Sequence, residues 1–171
     1  MNTAPEPGLE ALLERADYLK PLLSLQAAAG LLGLEWSEAH VRRAIEELAP
    51  RDPMRIEWAW NIATAGARQR DIRVLASCVP IQTRHVRQPF AAVLDEIFCD
   101  VVVSRGLQQY MTLSATFLAR RFACTDQHII NLRRDGLLES TPASRNRTGR
   151  NSSEAITWGS VVNFLQTRRM E

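Results

Sequence analysis

Lysine is almost missing from this chain of 171 residues, because Lys20 is the only lysine among its 21 basic residues. All the others are arginines. Arginine can donate two parallel hydrogen bonds to a phosphate or to the edge of a guanine, so this bias favours recognition of nucleic acid. A GC-rich genome would produce the same excess, which also extends over the more acidic part of the chain. Composition leaves both explanations open.

Cysteine and long apolar runs are also scarce. The three cysteines, Cys78, Cys99 and Cys124, are widely spaced in apolar surroundings, which predicts reduced core thiols and neither a disulfide framework nor a zinc site. No apolar run approaches the ~20 residues that span a bilayer, and the N-terminus does not have the basic-then-apolar order of a signal peptide. We therefore expect a soluble, cytoplasmic protein without a membrane partner.

The motifs of common enzyme classes are absent. The sequence contains no glycine-rich phosphate loop, no Gly-x-Ser-x-Gly elbow and no His-Glu-x-x-His pair. Its three histidines, His40, His85 and His128, lie far apart and share no ligand spacing. We expect no enzymatic activity, no cofactor, no metal and no small-molecule ligand.

Charge is divided unevenly along the chain. From Arg105 onward there are ten arginines and five acidic residues, a net charge of +5, whereas the preceding residues have a net charge of −3. Neutralising phosphates releases counterions and supplies most of the sequence-independent affinity for nucleic acid. A basic module attached to an acidic one therefore predicts binding of nucleic acid through the C-terminal end.

The C-terminal third has the pattern of two helices joined by a short turn. Apolar and small residues at helical spacing predict a first helix over 113–123. Thr125 is a good N-cap for a second helix over 126–134, and Gly136 ends that helix because glycine tolerates the left-handed conformation. In the second helix, Ile129 and Leu132 face the first. The opposite stripe, at i, i+3, i+4 and i+7, contains Gln127, Ile130, Asn131 and Arg134.

Two short strands and a closing helix follow. Residues 137–141 and 155–158 are able to pair, and the connector 142–153 between them contains three arginines and no acid. We expect that connector to be mobile until an anion orders it. The range 160–168 then has a helical apolar stripe, formed by Val161, Phe164 and Leu165.

These elements follow a defined order of residue types. Thr112 and Leu113 stand at the start of the first helix, and small residues lie inside it at Ala119 and at the turn at Ala123. The second helix contains the aliphatic Ile129 and is followed by Gly136 and Leu137. The pattern resembles the excisionase-type branch of the winged helix-turn-helix domains related to MerR regulators. That family ends with an isoleucine in the second wing strand and a short helix that closes with an aromatic residue and leucine, and these positions are matched by Ile156 and Phe164-Leu165. The resemblance covers about a third of the chain. Ala123 replaces the usual glycine, and Trp158 stands where a basic residue is common.

The leading hypothesis is a regulator or excisionase-type protein that binds duplex DNA, with the second helix in the major groove. The candidate contacts to base edges or nearby phosphates are Thr125, Gln127, Ile130, Asn131 and Arg134. The candidate contacts to the backbone or minor groove are Arg120, Arg121, Arg145, Arg147 and Arg150. The contrasting hypothesis is a protein-interaction or structural module that retains this fold while Ile130 and Trp158 contact another protein.

The N-terminal part predicts a disordered tail over 1–8 and a helical domain over 9–106, ahead of the C-terminal domain at 110–171. A segment at about 24–48 has a second helix-turn-helix order, with a Ser37 N-cap. Its surrounding glutamates favour packing or a protein partner, such as a second copy in a homodimer, over a second DNA reader. An internal duplication would explain the likeness.

Two further segments complete the predicted fold. Asp52-Pro53 begins a helix that we predict to about Gly66, although Ile56, Trp58, Trp60 and Ile62 also alternate as in a strand that pairs with 72–76. Apolar residues from Phe90 to Val101 predict a helix that ends at Arg105 and lies in the core or forms a dimer seam, with the core favoured. The predicted class is mainly α, a multi-helix N-terminal domain plus a C-terminal winged helix-turn-helix with a small β-hairpin.

Overall fold

The computed structural model describes residues 21–47, 56, 58–79, 89–105, 112–141 and 155–170, with the backbone alone at 99–105. These residues form six α-helices and two small antiparallel sheets, about 52% helix and 17% strand. The fold is a mixed α/β one, so the predicted mainly α class with one winged helix-turn-helix and one hairpin is wrong. Short stretches that the sequence assigned to helices or loops pair as strands. The predicted tail at 1–8 and the helix start at Asp52-Pro53 lie outside the described residues.

Residues 22–78, which we call the first unit, contain a three-stranded sheet and two helices. Their elements are β1 (Leu22–Ser24), α1 (Leu25–Leu32), α2 (Glu38–Glu46), β2 (Ala59–Asn61), β3 (Ile72–Leu75) and a short 3-10 helix (Ala76–Cys78). The strand order is β1-β3-β2, with both pairs antiparallel. The helix predicted up to Gly66 is therefore wrong over 58–66, and the alternative pairing with 72–76 is confirmed. Residues of alternating type fit the two faces of a strand, whereas a helix would scatter them around its axis.

Residues 112–167, the second unit, repeat this arrangement. Their elements are β4 (Thr112–Ser114), α4 (Ala115–Arg121), α5 (Asp126–Arg134), β5 (Ala155–Thr157) and α6 (Trp158–Thr167). The first helix starts two residues later than predicted, because Ser114 is its N-cap and accepts from the amide of Phe117 at 3.1 Å. The strand β5 pairs with β4, and the predicted pairing with 137–141 is limited to a bridge between Ser140 and Ile156.

The two units also share their strand register. In the first unit, Val74 is paired with Leu23 on one side and with Ala59 on the other. In the second unit, Ile156 is paired with Leu113 and Ser140 in the same way. Topology and register therefore repeat along the chain, as an internal duplication would produce.

The sheet of the first unit is covered on both faces. Leu23 and Val74 pack with the helices of their own unit, whereas Leu22 and Trp60 belong to a hydrophobic cluster that contains most of the second unit's core. Trp60 is fully buried and donates from Nε1 to the carbonyl of Leu165 at 2.9 Å. Residues on both sides of the predicted domain boundary thus share one core.

The C-terminal segment extends this contact. The amide of Asn61 donates to the carbonyl of Arg168 at 2.9 Å, and the amide of Met170 donates to the carbonyl of Ala59 at 2.8 Å. The segment therefore lies along the free edge of β2, where the guanidinium of Arg169 sits 4.0 Å above the ring of Trp58. An edge that would otherwise expose unpaired backbone groups is covered by residues 168–170, which follow the second unit.

A kinked helix, α3 (Phe90–Arg105), lies between the two units in sequence, with non-helical backbone angles at Phe98 (φ −121°, ψ 22°). Val93, Ile97 and Phe98 are fully buried in the shared cluster, which confirms the predicted core role for this part of the helix. The ring of Phe98 packs edge-on against the ring of Trp158, with 4.9 Å between the two ring centroids. None of the helices in the described ranges is long and apolar enough to cross a membrane.

Candidate nucleic-acid interface

The helices α4 and α5 form the predicted pair, and local residues set the limits of α5. The Oγ1 of Thr125 accepts from the amide of His128 at 3.2 Å, so the first turn has its cap. Ile129 and Leu132 are fully buried, as predicted for the inward face. Gly136 adopts φ +76° directly after the helix, as its predicted role as a stop requires.

The four stripe residues lie together on the outer side of α5. Gln127, Ile130 and Arg134 are exposed, and Asn131 is half-buried. The Nε2 of Gln127 donates to the Oδ1 of Asn131 at 3.1 Å, which orients the two amides relative to each other. The side chain of Arg134 is 71% exposed, with its Nε 3.8 Å from Asp135. The stripe thus presents two amides, one aliphatic side chain and one guanidinium to solvent.

The remaining candidate contact residues differ in exposure and in the contacts that they make. Thr125 is exposed, but its hydroxyl is engaged as the cap. Arg120 is exposed on α4, whereas Arg121 is half-buried with its guanidinium 5.1 Å from the centre of the Phe117 ring. The three connector arginines lie outside the described residues: Arg145, Arg147 and Arg150.

The acids beside this surface are engaged by neighbours. Asp126 accepts through Oδ2 from the hydroxyl of Thr116 at 2.6 Å, and its charge lies at the positive end of α5. Asp135 accepts through Oδ2 from the amide of Ala65 at 3.1 Å. Each carboxylate therefore has a structural role, and each keeps its negative charge beside this surface.

The β2–β3 loop of the first unit lies beside α5. His128 contacts the carbonyl of Ile62 through Nε2 at 2.6 Å, and the amide of Ala65 reaches Asp135. From His128 to Asp135 a helix rises roughly 10 Å, and a chain of three residues, as from Ile62 to Ala65, can span about the same distance when extended. The loop therefore runs along the length of α5. These partners are 66 and 70 residues apart, so no local pattern could have revealed them.

The turn between α4 and α5 is also held by the first unit. Arg73, only 9% exposed, donates from Nε to the carbonyls of Phe122 at 2.9 Å and Ala123 at 3.2 Å. Its Nη1 pairs with Asp71. Ala123 has φ +51°, a left-handed conformation that costs a non-glycine residue on the order of 1 kcal/mol. The bonds from Arg73 fix this turn and hence the angle at which α5 is presented.

Burial keeps the neighbouring thiol neutral. It raises the pKa of Cys124 from its ordinary value of 9.0 to about 12, an effect that Arg73 partly opposes and that Asp71 and Asp126 reinforce. Cys124 and Cys78 are both free thiols. Within the described ranges, no three His, Cys, Asp or Glu side chains are grouped as metal ligands.

Comparisons with protein-family models, with curated proteins and with solved structures found no match. Functional inference for this chain therefore depends on its own residues and their geometry.

Proposed function

We propose that this protein binds duplex DNA as a regulator or an excisionase-type factor, with the exposed stripe of α5 in the major groove. The observation that carries the proposal is that Gln127, Ile130 and Arg134 are exposed on one side of the second helix, with the half-buried Asn131 among them. An α-helix with its side chains is roughly 10–12 Å across, which fits the ~12 Å width of the major groove. Such a protein needs no cofactor and acts in the compartment that holds DNA, which we take to be the cytoplasm.

The stripe has the chemistry of base recognition. Asparagine and glutamine amides can bind adenine through N6 and N7, and arginine can bind guanine through O6 and N7. The aliphatic side chain of Ile130 suits contact with a thymine methyl group. Arg120 and Arg121, together with Arg145, Arg147 and Arg150 of the connector, would then contact the backbone.

The alternative function, docking of another protein, is favoured by one observation, the 37% exposure of Ile130. The second residue on which this alternative depended, Trp158, is half-buried and packs edge-on against Phe98. We favour DNA because the neighbours of Ile130 on the stripe are polar or basic. If copies associate through the first unit, the DNA half-sites would lie about 34 Å apart or at a multiple of that distance.

The test is a titration of random duplex DNA against salt, using fluorescence anisotropy. The wild-type protein should bind at low salt, and the logarithm of its affinity should fall linearly with the logarithm of salt concentration. Replacing Arg145, Arg147 and Arg150 together by alanine should reduce the slope by up to ~0.9 for each lost phosphate contact. The absence of binding at low salt would reject the proposal in favour of a protein partner.

Arg134→Ala and Asn131→Ala test the stripe itself. On a duplex selected from a random pool, each should lower affinity by about 1–3 kcal/mol and relax the preference at one base position. The matched control is Arg43→Ala on α2, an exposed arginine whose Nε lies 3.0 Å from Glu47 in the first unit. Equal effects of Arg43→Ala and Arg134→Ala would show that the binding is unspecific attraction to positive charge.

A further inference from the structure

The β2–β3 loop of the first unit, residues 62–71, is held against α5 in a fixed position. Its start is bound to His128 and its middle to Asp135, at opposite ends of the helix. Beyond Ala65 the chain turns at Gly66, where φ is +75°, and residues 65–70 are exposed. The exposed part of the loop therefore begins beside the end of α5 that carries Arg134.

The three charged side chains of this loop differ in whether they form an ion pair. Arg70 forms an ion pair with Glu46 at 3.2 Å, which ties it to α2. Asp71 is paired with Arg73. Arg68 is exposed and makes no hydrogen bond or ion pair with any other residue in the described ranges. The loop thus offers one uncommitted guanidinium, three residues beyond the contact between Ala65 and Asp135 and two residues before the ion pair with α2.

We propose that Arg68 binds a backbone phosphate of the duplex beside the groove that α5 enters, so that both units contribute to one DNA-binding surface. This inference rests on the proposed function. A helix in a groove ~12 Å wide has a phosphate backbone on each side, and an element that lies parallel to the helix meets one of them. The contact carries no sequence information; it fixes position and adds to affinity.

The neighbouring side chains support this role for the loop. Gln69 adds an exposed amide, and the acid of the loop is neutralised by Arg73 rather than facing the duplex alone. The two hydrogen bonds to α5 also mean that the loop is already ordered before DNA arrives. Binding therefore costs less conformational entropy than it would for a free loop.

The experiment compares Arg68→Ala with Arg43→Ala and Arg134→Ala, using the full chain and the same salt titration. We expect Arg68→Ala to reduce the salt slope by up to ~0.9 and to weaken binding equally for selected and random duplexes. Arg43→Ala, the control on α2, should leave slope and affinity unchanged. Both positions are exposed, so thermal unfolding should be unaltered in the two variants.

The outcomes separate this inference from the proposed function. If Arg134→Ala weakens binding while Arg68→Ala behaves as Arg43→Ala does, the loop contact is rejected and the reading helix stands. If no variant binds differently from the wild type, the proposed function itself fails. A photo-crosslinking residue at position 68 gives an independent readout: it should label duplex DNA, and the same residue at position 43 should not.

Discussion

The two units share one architecture but differ in what their second helices expose. Both have a strand, two capped helices and a central strand in the same register. On α2, Arg42 and Arg43 each lie within ion-pair distance of a glutamate four residues later, at 3.7 and 3.0 Å. On α5, the outer side carries amides and a well-exposed Arg134. The scaffold sets where the second helix lies, and the exposed residues decide which partner it suits.

The units also differ in how their cores are covered. The first unit's sheet is packed on both faces, by its own helices and by the second unit. Its residues Arg73 and Ile62 contact the turn and the second helix of the other unit. The first unit therefore acts as a support for the second, and this division of roles can be tested.

The largest effect is expected at Trp60, a residue of the first unit that is buried in the cluster shared with the second unit. Trp60→Ala should lower the free energy of unfolding by about 4 kcal/mol, because it removes a fully buried ring and the hydrogen bond to Leu165. Urea denaturation should still show one transition. The half-buried Trp36→Ala serves as control and should cost much less. Two separate transitions in the wild type would contradict a shared core.

The second largest loss in the free energy of unfolding is expected on replacing Arg73. Arg73→Leu should lower the free energy of unfolding by about 3 kcal/mol, because two carbonyls at the end of α4 lose their donor and Asp71 loses its partner. Arg70→Leu, which breaks only an exposed ion pair, should cost about 0.5 kcal/mol or less. Equal costs for the two variants would mean that the first unit does not hold the turn of the second.

The turns of the two units can be tested by replacing glycine with alanine in the first and alanine with glycine in the second. Gly33 follows α1 with φ +107°, and Ala123 follows α4 with φ +51°. Gly33→Ala should destabilise the protein by about 2 kcal/mol, because φ +107° with ψ 178° is a conformation almost restricted to glycine. Ala123→Gly should stabilise the protein by up to ~1 kcal/mol, since glycine removes the left-handed strain at some entropic cost in the unfolded chain. Thermal unfolding of both variants measures the signs. A loss of stability in Ala123→Gly would show that contacts of the alanine methyl group outweigh its strain.

The smallest effect concerns Cys124, in the turn between α4 and α5; the turn between α1 and α2, residues 33–37, contains no cysteine. Its pKa is about 12 in the folded protein and near 9.0 when exposed, so the folded state keeps a proton that the unfolded state loses. Stability should therefore fall as pH rises through the interval between these two values. Cys124→Ser should make this decline shallower in urea titrations, and an unchanged profile would contradict burial of the thiol.

Local signals in the sequence were enough for the helices of the second unit and for α3. Thr125 and Gly136 mark the ends of α5 through hydrogen bonding and backbone conformation within a few residues. The spacing of Ile129 and Leu132 identifies the inner face, and the stripe opposite follows from it. The apolar periodicity from Phe90 onward likewise predicted a helix that ends at Arg105. These features depend on neighbours in sequence, so one chain suffices to predict them.

Strand pairing and the support of α5 were decided by the tertiary structure. Whether Trp60 lies in a helix or a strand depends on a partner at Arg73, and β4 became a strand because β5 offered it an edge. The contacts of Arg73 with the α4–α5 turn and of Ile62 with His128 join residues about 50 and 66 positions apart. The sequence by itself determined where α5 begins, where it ends and which of its sides is polar, because capping and periodicity act locally. Only the folded chain decided which segments pair and that the first unit holds the second helix pair in place, because such contacts depend on distant residues meeting in a shared core.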